Sequence, residues 1–131
     1  METEIYKGEK GWFEAPLATL IEGEVFRGEK GWFEKPILTI IENKIYDGEK
    51  NWLEKPLAIV VDRKVYKGKK KGRWENPIAT IINNEVYEGD DKNWFEKPLA
   101  TTESPHIMAL GAAAVMILLL KIEEDPKKPD E

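Results

Sequence analysis

Short runs of alternating and branched apolar residues recur along the chain about every twenty residues, each broken by glycine, proline or a pair of small polar residues. The aromatics Tyr6, Phe26, Tyr46, Tyr66 and Tyr87 keep step with Trp12, Trp32, Trp52, Trp74 and Trp94 and with Pro16, Pro36, Pro56, Pro77 and Pro98. Self-similarity of this kind identifies a repeat architecture before any motif is sought. From each proline to the next such aromatic the distance is constant, 16 to 26, 36 to 46, 56 to 66 and 77 to 87. From glycine to tryptophan it drifts, as in 8 to 12, 68 to 74 and 89 to 94. Paired structure tolerates no such drift, so the first segment is expected to be strand and the second loop.

Within the constant segment an extended run such as 17–21 meets two turn residues and then a second run, 24–27. The turn pairs are Glu22-Gly23, Glu42-Asn43, Asp62-Arg63 and Asn83-Asn84. Gly and Asn at the second position suit the positive φ of tight hairpins, and Asp62-Arg63 suits it less well. Branched residues fill 37–41, 57–61 and 78–82, while proline stands at each run's first position, where its missing N–H does no harm. Ile37 and Ile41 fall on one face and Leu38 and Ile40 on the other, so both faces need cover.

The first unit opens directly at Glu4-Ile5-Tyr6-Lys7 and the last stops after Pro98-Leu99-Ala100-Thr101. These half-units complete one pair between them, and joining them closes the sheet and removes its edges. An open solenoid would carry polar caps instead, and neither end has one. The expected fold is mostly β: a closed antiparallel, five-fold symmetric barrel of about ten strands, made from five hairpin repeats.

A hydrophobic C-terminal helix is expected at about 105–124, with Ser104 as N-cap and Pro105 in its first position. From Ile107 to Leu120 it carries no polar side chain, so it must be buried in protein or in lipid. That run is about 21 Å long, short for a bilayer core of about 30 Å. A strand of about six residues rises roughly 20 Å, so the length favours a helix threaded through the barrel, with a short tail anchor as the alternative. Gly111, Ala112, Ala113 and Ala114 on the helix, and Ala18, Ala58, Ala79 and Ala100 on one strand face, give such a helix room. Residues 1–122 then form one domain, and 125–131 a charged flexible tail.

Ile5-Tyr6-Lys7-Gly8, Ile45-Tyr46-Asp47-Gly48, Val65-Tyr66-Lys67-Gly68 and Val86-Tyr87-Glu88-Gly89, each followed by a segment like Pro77-Ile78-Ala79-Thr80-Ile81, resemble the small bacterial repeat proteins called β-flower proteins. The likeness covers residues 4 to 102. That family is usually described with four-fold symmetry; five units and the long Trp-Phe-Glu-Lys-Pro loop depart from its commoner pattern. The resemblance implies a shallow symmetric barrel and brings no catalytic residues. A barrel threaded by an apolar helix is also similar in plan to Tubby C-terminal domains and phospholipid scramblases, by architecture only.

Composition narrows the chemistry. The net charge of −5 is spread over interleaved Lys and Glu, as in Glu9-Lys10, Glu29-Lys30 and Glu49-Lys50, so no basic stripe awaits a nucleic acid. Without cysteine and with His106 as its only histidine, the chain has none of the usual zinc or iron ligand sets. Ser104 and His106 lie two positions apart where the helix begins, so they suit capping and not a nucleophile with its base. Lys7-Gly8-Glu9-Lys10-Gly11 leads to a Trp loop and not to a phosphate-binding helix. The expectation is therefore a protein with no enzyme activity, no cofactor, no metal and no catalytic residue, and a monomer. Met1-Glu2-Thr3-Glu4 lacks the basic start and apolar stretch of a signal peptide, which points to the cytoplasm or a membrane surface facing it.

Two five-fold sets remain. The carboxylates Glu14, Glu34, Glu54, Glu75 and Glu96 would meet at one rim, to hold a cation or to pair with Lys35, Lys55 and Lys97. The second set, Trp12, Phe13, Trp32, Phe33, Trp52, Trp74, Trp94 and Phe95, lies among lysines, a combination that membrane interfaces favour. These aromatics are the candidate lipid-contacting or ligand-contacting rim, acting multivalently; the other reading has each Trp covering its own hairpin's outer face. Function is then expected to be a non-enzymatic binding or structural module, peripherally associated with lipid or a membrane through these loops. The alternatives are a tail-anchored protein with a surface β-repeat domain and a protein-interaction scaffold using the acidic tail.

Overall fold

The computed structural model describes residues 2–8, 15–28, 35–49, 55–68, 76–90 and 97–121. Ten strands run in chain order: β1 (Glu2–Lys7), β2 (Ala18–Ile21), β3 (Glu24–Arg27), β4 (Leu38–Ile41), β5 (Lys44–Asp47), β6 (Ala58–Val61), β7 (Lys64–Lys67), β8 (Ala79–Ile82), β9 (Glu85–Glu88) and β10 (Ala100–Thr102). All neighbours are antiparallel and the sheet closes into a barrel. The seam is the one the half-units foretell: Ile5 pairs with Thr102, Tyr6 with Thr101 and Lys7 with Ala100.

One register repeats in every hairpin. Ala18, Thr19, Leu20 and Ile21 oppose Arg27, Phe26, Val25 and Glu24, and the later hairpins repeat the pattern. A one-residue slip would turn every buried side chain to the wrong face. On one face Ile5, Ala18, Leu20, Val25, Leu38, Ile45, Ala58, Val60, Val65, Ala79, Ile81, Val86 and Ala100 are buried in a single core. On the other, Tyr6, Phe26, Tyr46, Tyr66 and Tyr87 are also buried, each opposite a threonine except Tyr66, which faces Ile59.

Helix α1 (Ile107–Ala114) passes directly into a π-helical turn, Val115–Leu119. Ala109, Leu110, Ala112, Ala113, Ala114, Val115 and Met116 are wholly shielded from solvent and share the core with the strands. α1 approaches β1, β4, β7, β8, β9 and β10. A Cβ placed on Gly111 would lie 2.8 Å from Val60 Cγ2 of β6 and 3.6 Å from Ile45 Cδ1 of β5.

Three local expectations need correction. The strands span four residues in most hairpins, a rise of about 13 Å, because each residue after the proline bonds outside the regular ladder. The N-cap is His106, in an extended conformation, and not Ser104. The Thr102 hydroxyl donates to the Ser104 carbonyl at 2.6 Å, which holds Ser104 in the bend before the helix and delays its first turn to Ile107. At the other end the helical turns stop at Leu119, short of 124, and Lys121 takes φ of 57°.

Candidate functional site at the barrel ends

Strands β1, β3, β5, β7 and β9 all run toward one end of the barrel, and the Trp-bearing segments all start and return there. This loop end has a repeated anchor. The amide of Leu17 donates to the Ile5 carbonyl at 2.7 Å, and the Leu17 carbonyl accepts from the Gly28 amide at 2.8 Å. Ile37, Leu57 and Ile78 make the same two bonds, and Leu99 bonds Val86 and Gly8 across the seam. Threonine adds a third bond: the hydroxyls of Thr19, Thr39, Thr80 and Thr101 donate to the carbonyls of Gly28, Gly48, Gly89 and Gly8 at 2.7 to 2.8 Å.

These glycines have positive φ, 67° at Gly8 and 66° at Gly28, with open space where a Cβ would stand. Conformation and not crowding therefore calls for glycine. Around the anchor, Ile37, Leu57, Ile78 and Leu99 are half-buried and apolar, and Lys35, Lys55 and Lys97 stand exposed beside the prolines. The rim aromatics Trp12, Phe13, Trp32, Phe33, Trp52, Trp74, Trp94 and Phe95 lie outside the described residues, as do Glu14, Glu34, Glu54, Glu75 and Glu96. What the fold does fix is the ground they grow from: five stapled bases at one end of one ring.

The opposite end carries the tight turns. Positive φ falls on their first residues, Glu22, Glu42, Asp62 and Asn83, a position the sequence pattern did not single out. Arg63 is positive as well, at 63°, so Asp62-Arg63 makes its turn without glycine or asparagine in second place. Asparagine has a different use here. Asn43 Nδ2 donates to the Val60 carbonyl at 3.1 Å and Asn84 Nδ2 to the Thr102 carbonyl at 2.7 Å, so each turn fastens to the next hairpin.

Where α1 begins, Thr3, Leu20, Glu22, Gly23, Ile40, His106 and Met108 line an open cleft of about 310 Å³. His106 is committed within it. Its Nδ1 accepts from the Ala109 amide at 3.1 Å, satisfying one of the four amides that a helix start leaves without partners. Replacing His106 by Ala should lower unfolding free energy by about 1 kcal/mol in urea titrations, and His106→Asn, which can also accept, should restore most of it.

Among the described residues no group of three or more His, Cys, Asp or Glu could hold a metal ion, and no helix is long and apolar enough to cross a membrane. The tail-anchor alternative needs the 107–120 run free for lipid, and most of that run is buried in protein.

No curated protein and no solved structure matches the chain, so the likeness in plan to Tubby domains and scramblases finds no counterpart there. A family model described as the 6-fold beta flower protein matches residues 5–125, a span that includes every hairpin repeat and the helix. The family's description counts six folds where this ring has ten strands in five hairpin pairs, the fifth closed across the seam. With that difference in number, the chain belongs to the 6-fold beta flower protein family.

Proposed function

We propose that this chain is a non-enzymatic binding module, a barrel with its lumen filled by α1 and its loop end turned to a lipid surface. Support for the filled lumen comes from the strands α1 meets. β4 and β9 stand five places apart around a ring of ten, yet both lie against the helix; a helix laid on the outer surface could not reach both. The buried span 109–116 rises about 12 Å, close to the rise of about 13 Å of a four-residue strand.

A lumen occupied in this way holds no substrate, so recognition falls to the outside. The observation that carries the lipid reading is the loop end itself, where five bases of one design bear segments that each carry a Trp and at least one Lys, and where the bases themselves form a half-buried apolar ring. Tryptophan and lysine share the headgroup zone for complementary reasons, an amphipathic ring and a snorkelling amine. Several weak contacts on one rigid frame add as effective concentration.

Co-sedimentation with phosphatidylcholine vesicles tests this. The parent chain should pellet with vesicles, and Trp32→Ala with Trp94→Ala should leave most of it in the supernatant; unchanged retention by the double variant counts against the rim. A chain that never pellets but captures a protein through residues 123–131 would favour the scaffold reading, which rests on that tail's acidic composition.

A further inference from the structure

We infer that the end of the π-helical turn and the residue after it, Ile117–Leu120, form a short apolar tip that enters the acyl layer of a membrane at the centre of the loop end. This rests on the lipid-surface reading above and names the part of the chain that penetrates. α1 starts at the turn end, following β10, and its fully shielded stretch stops at Met116. A helix in the lumen, buried for the height of the strands, must then emerge with its next turn at the loop end. Ile117, Leu118, Leu119 and Leu120 are all only half-buried.

Four consecutive residues point in four directions around a helix, and each of these packs in part against the core while keeping some apolar surface open. The tip's length fits one kind of occupant. Four residues project about 6 Å, within the roughly 5–10 Å to which interfacial segments sink below the headgroups and far from the roughly 30 Å of a span. Lys121 follows at once, exposed and turned back by a positive φ, and Lys35, Lys55 and Lys97 stand exposed at the same end, among the exposed carboxylates of Asp47, Glu49, Glu88 and Asp90. Amines at that level place the apolar tip below and the charge in the headgroup layer. The other end presents exposed Glu22, Glu42, Asp62 and Glu103 beside Arg63, with Ile41 and Ile107 as its separate exposed apolar side chains.

The chain has no cysteine, which permits a single probe to be placed at will. Leu119→Cys and Ile107→Cys, each carrying an environment-sensitive fluorophore, are mixed with phosphatidylcholine vesicles containing brominated acyl chains. The expected result is blue-shifted, bromine-quenched emission at 119 and unchanged emission at 107. In parallel, Leu119→Glu should weaken vesicle partition about tenfold, the worth of about 1.4 kcal/mol, while the circular dichroism spectrum stays that of the parent. Vesicle-bound protein with an unquenched probe at 119 overturns the tip and leaves the lipid reading standing. Parent protein that fails to bind vesicles at all overturns that reading first, and the tip with it.

Discussion

Gly111→Leu should lower stability by about 3 kcal/mol, seen as a Tm about 10 °C below the parent's. The reason is room. A Cβ on Gly111 would already stand 2.8 Å from Val60 Cγ2, with Ile45 Cδ1 at 3.6 Å and Val65 Cγ2 at 3.8 Å, so the leucine's further carbons have nowhere to go without moving three strands. Gly111→Ala is the finer test. On an open helix the change would add up to about 1 kcal/mol by restricting the unfolded chain, but here the new methyl meets Val60. The gain should vanish in the parent and reappear when Val60 is also Ala, a coupling that a double-mutant cycle isolates. A Gly111→Leu protein that melts with the parent would mean that α1 is not enclosed by these strands.

Leu110→Lys should have the larger effect and leave no cooperative fold at 25 °C. Leu110 has no exposed surface and its surroundings are apolar side chains, so the ammonium would be buried without a partner. Such a charge costs several kcal/mol against a total stability of about 5–15 kcal/mol. Loss of near-UV circular dichroism with a non-cooperative urea profile is the expected signature. Leu110→Ala should cost about 2–5 kcal/mol through the lost contacts and the cavity left behind. The same lysine at Ile107, which is 39% exposed, should change stability by less than about 0.5 kcal/mol. That contrast separates the depth of the site from any dislike of lysine in a helix.

Much of this fold is legible in the sequence because closure imposes period. A fixed distance from proline to aromatic is what one register, repeated around a ring, requires, and the half-units at residues 4–7 and 98–101 announce the seam later seen between β1 and β10. Alanine at 18, 58, 79 and 100 marks the strand face that shares the core with α1, and all four are fully buried.

Other features have no such signal. An apolar run from Ile107 to Leu120 contains nothing polar to mark its last turn, so neither the π-helical turn nor its halt at Leu119 could be read from it. The cap went to the wrong residue because Ser104 is a good capping type, while the bond that keeps it out of the helix comes from Thr102, which pattern alone does not connect to it. The turns' positive φ at Glu22, Glu42 and Asp62 reflects the twist of the paired strands and not the preference of those residues. For the rim, sequence gives residue types at regular intervals, and the fold supplies one shared end for the residues that flank them.

Pairing Ile5 with Thr102 also orders events in time. During synthesis the opening strand has one partner within reach, β2, and must wait for almost the whole chain before its other edge is satisfied. Until then it is an unpaired template for foreign strands. Contacts between residues nearly a hundred positions apart are slow to form, so closure is expected to limit the folding rate. A circular permutant opened at the Glu42-Asn43 turn would move that delay to a different strand.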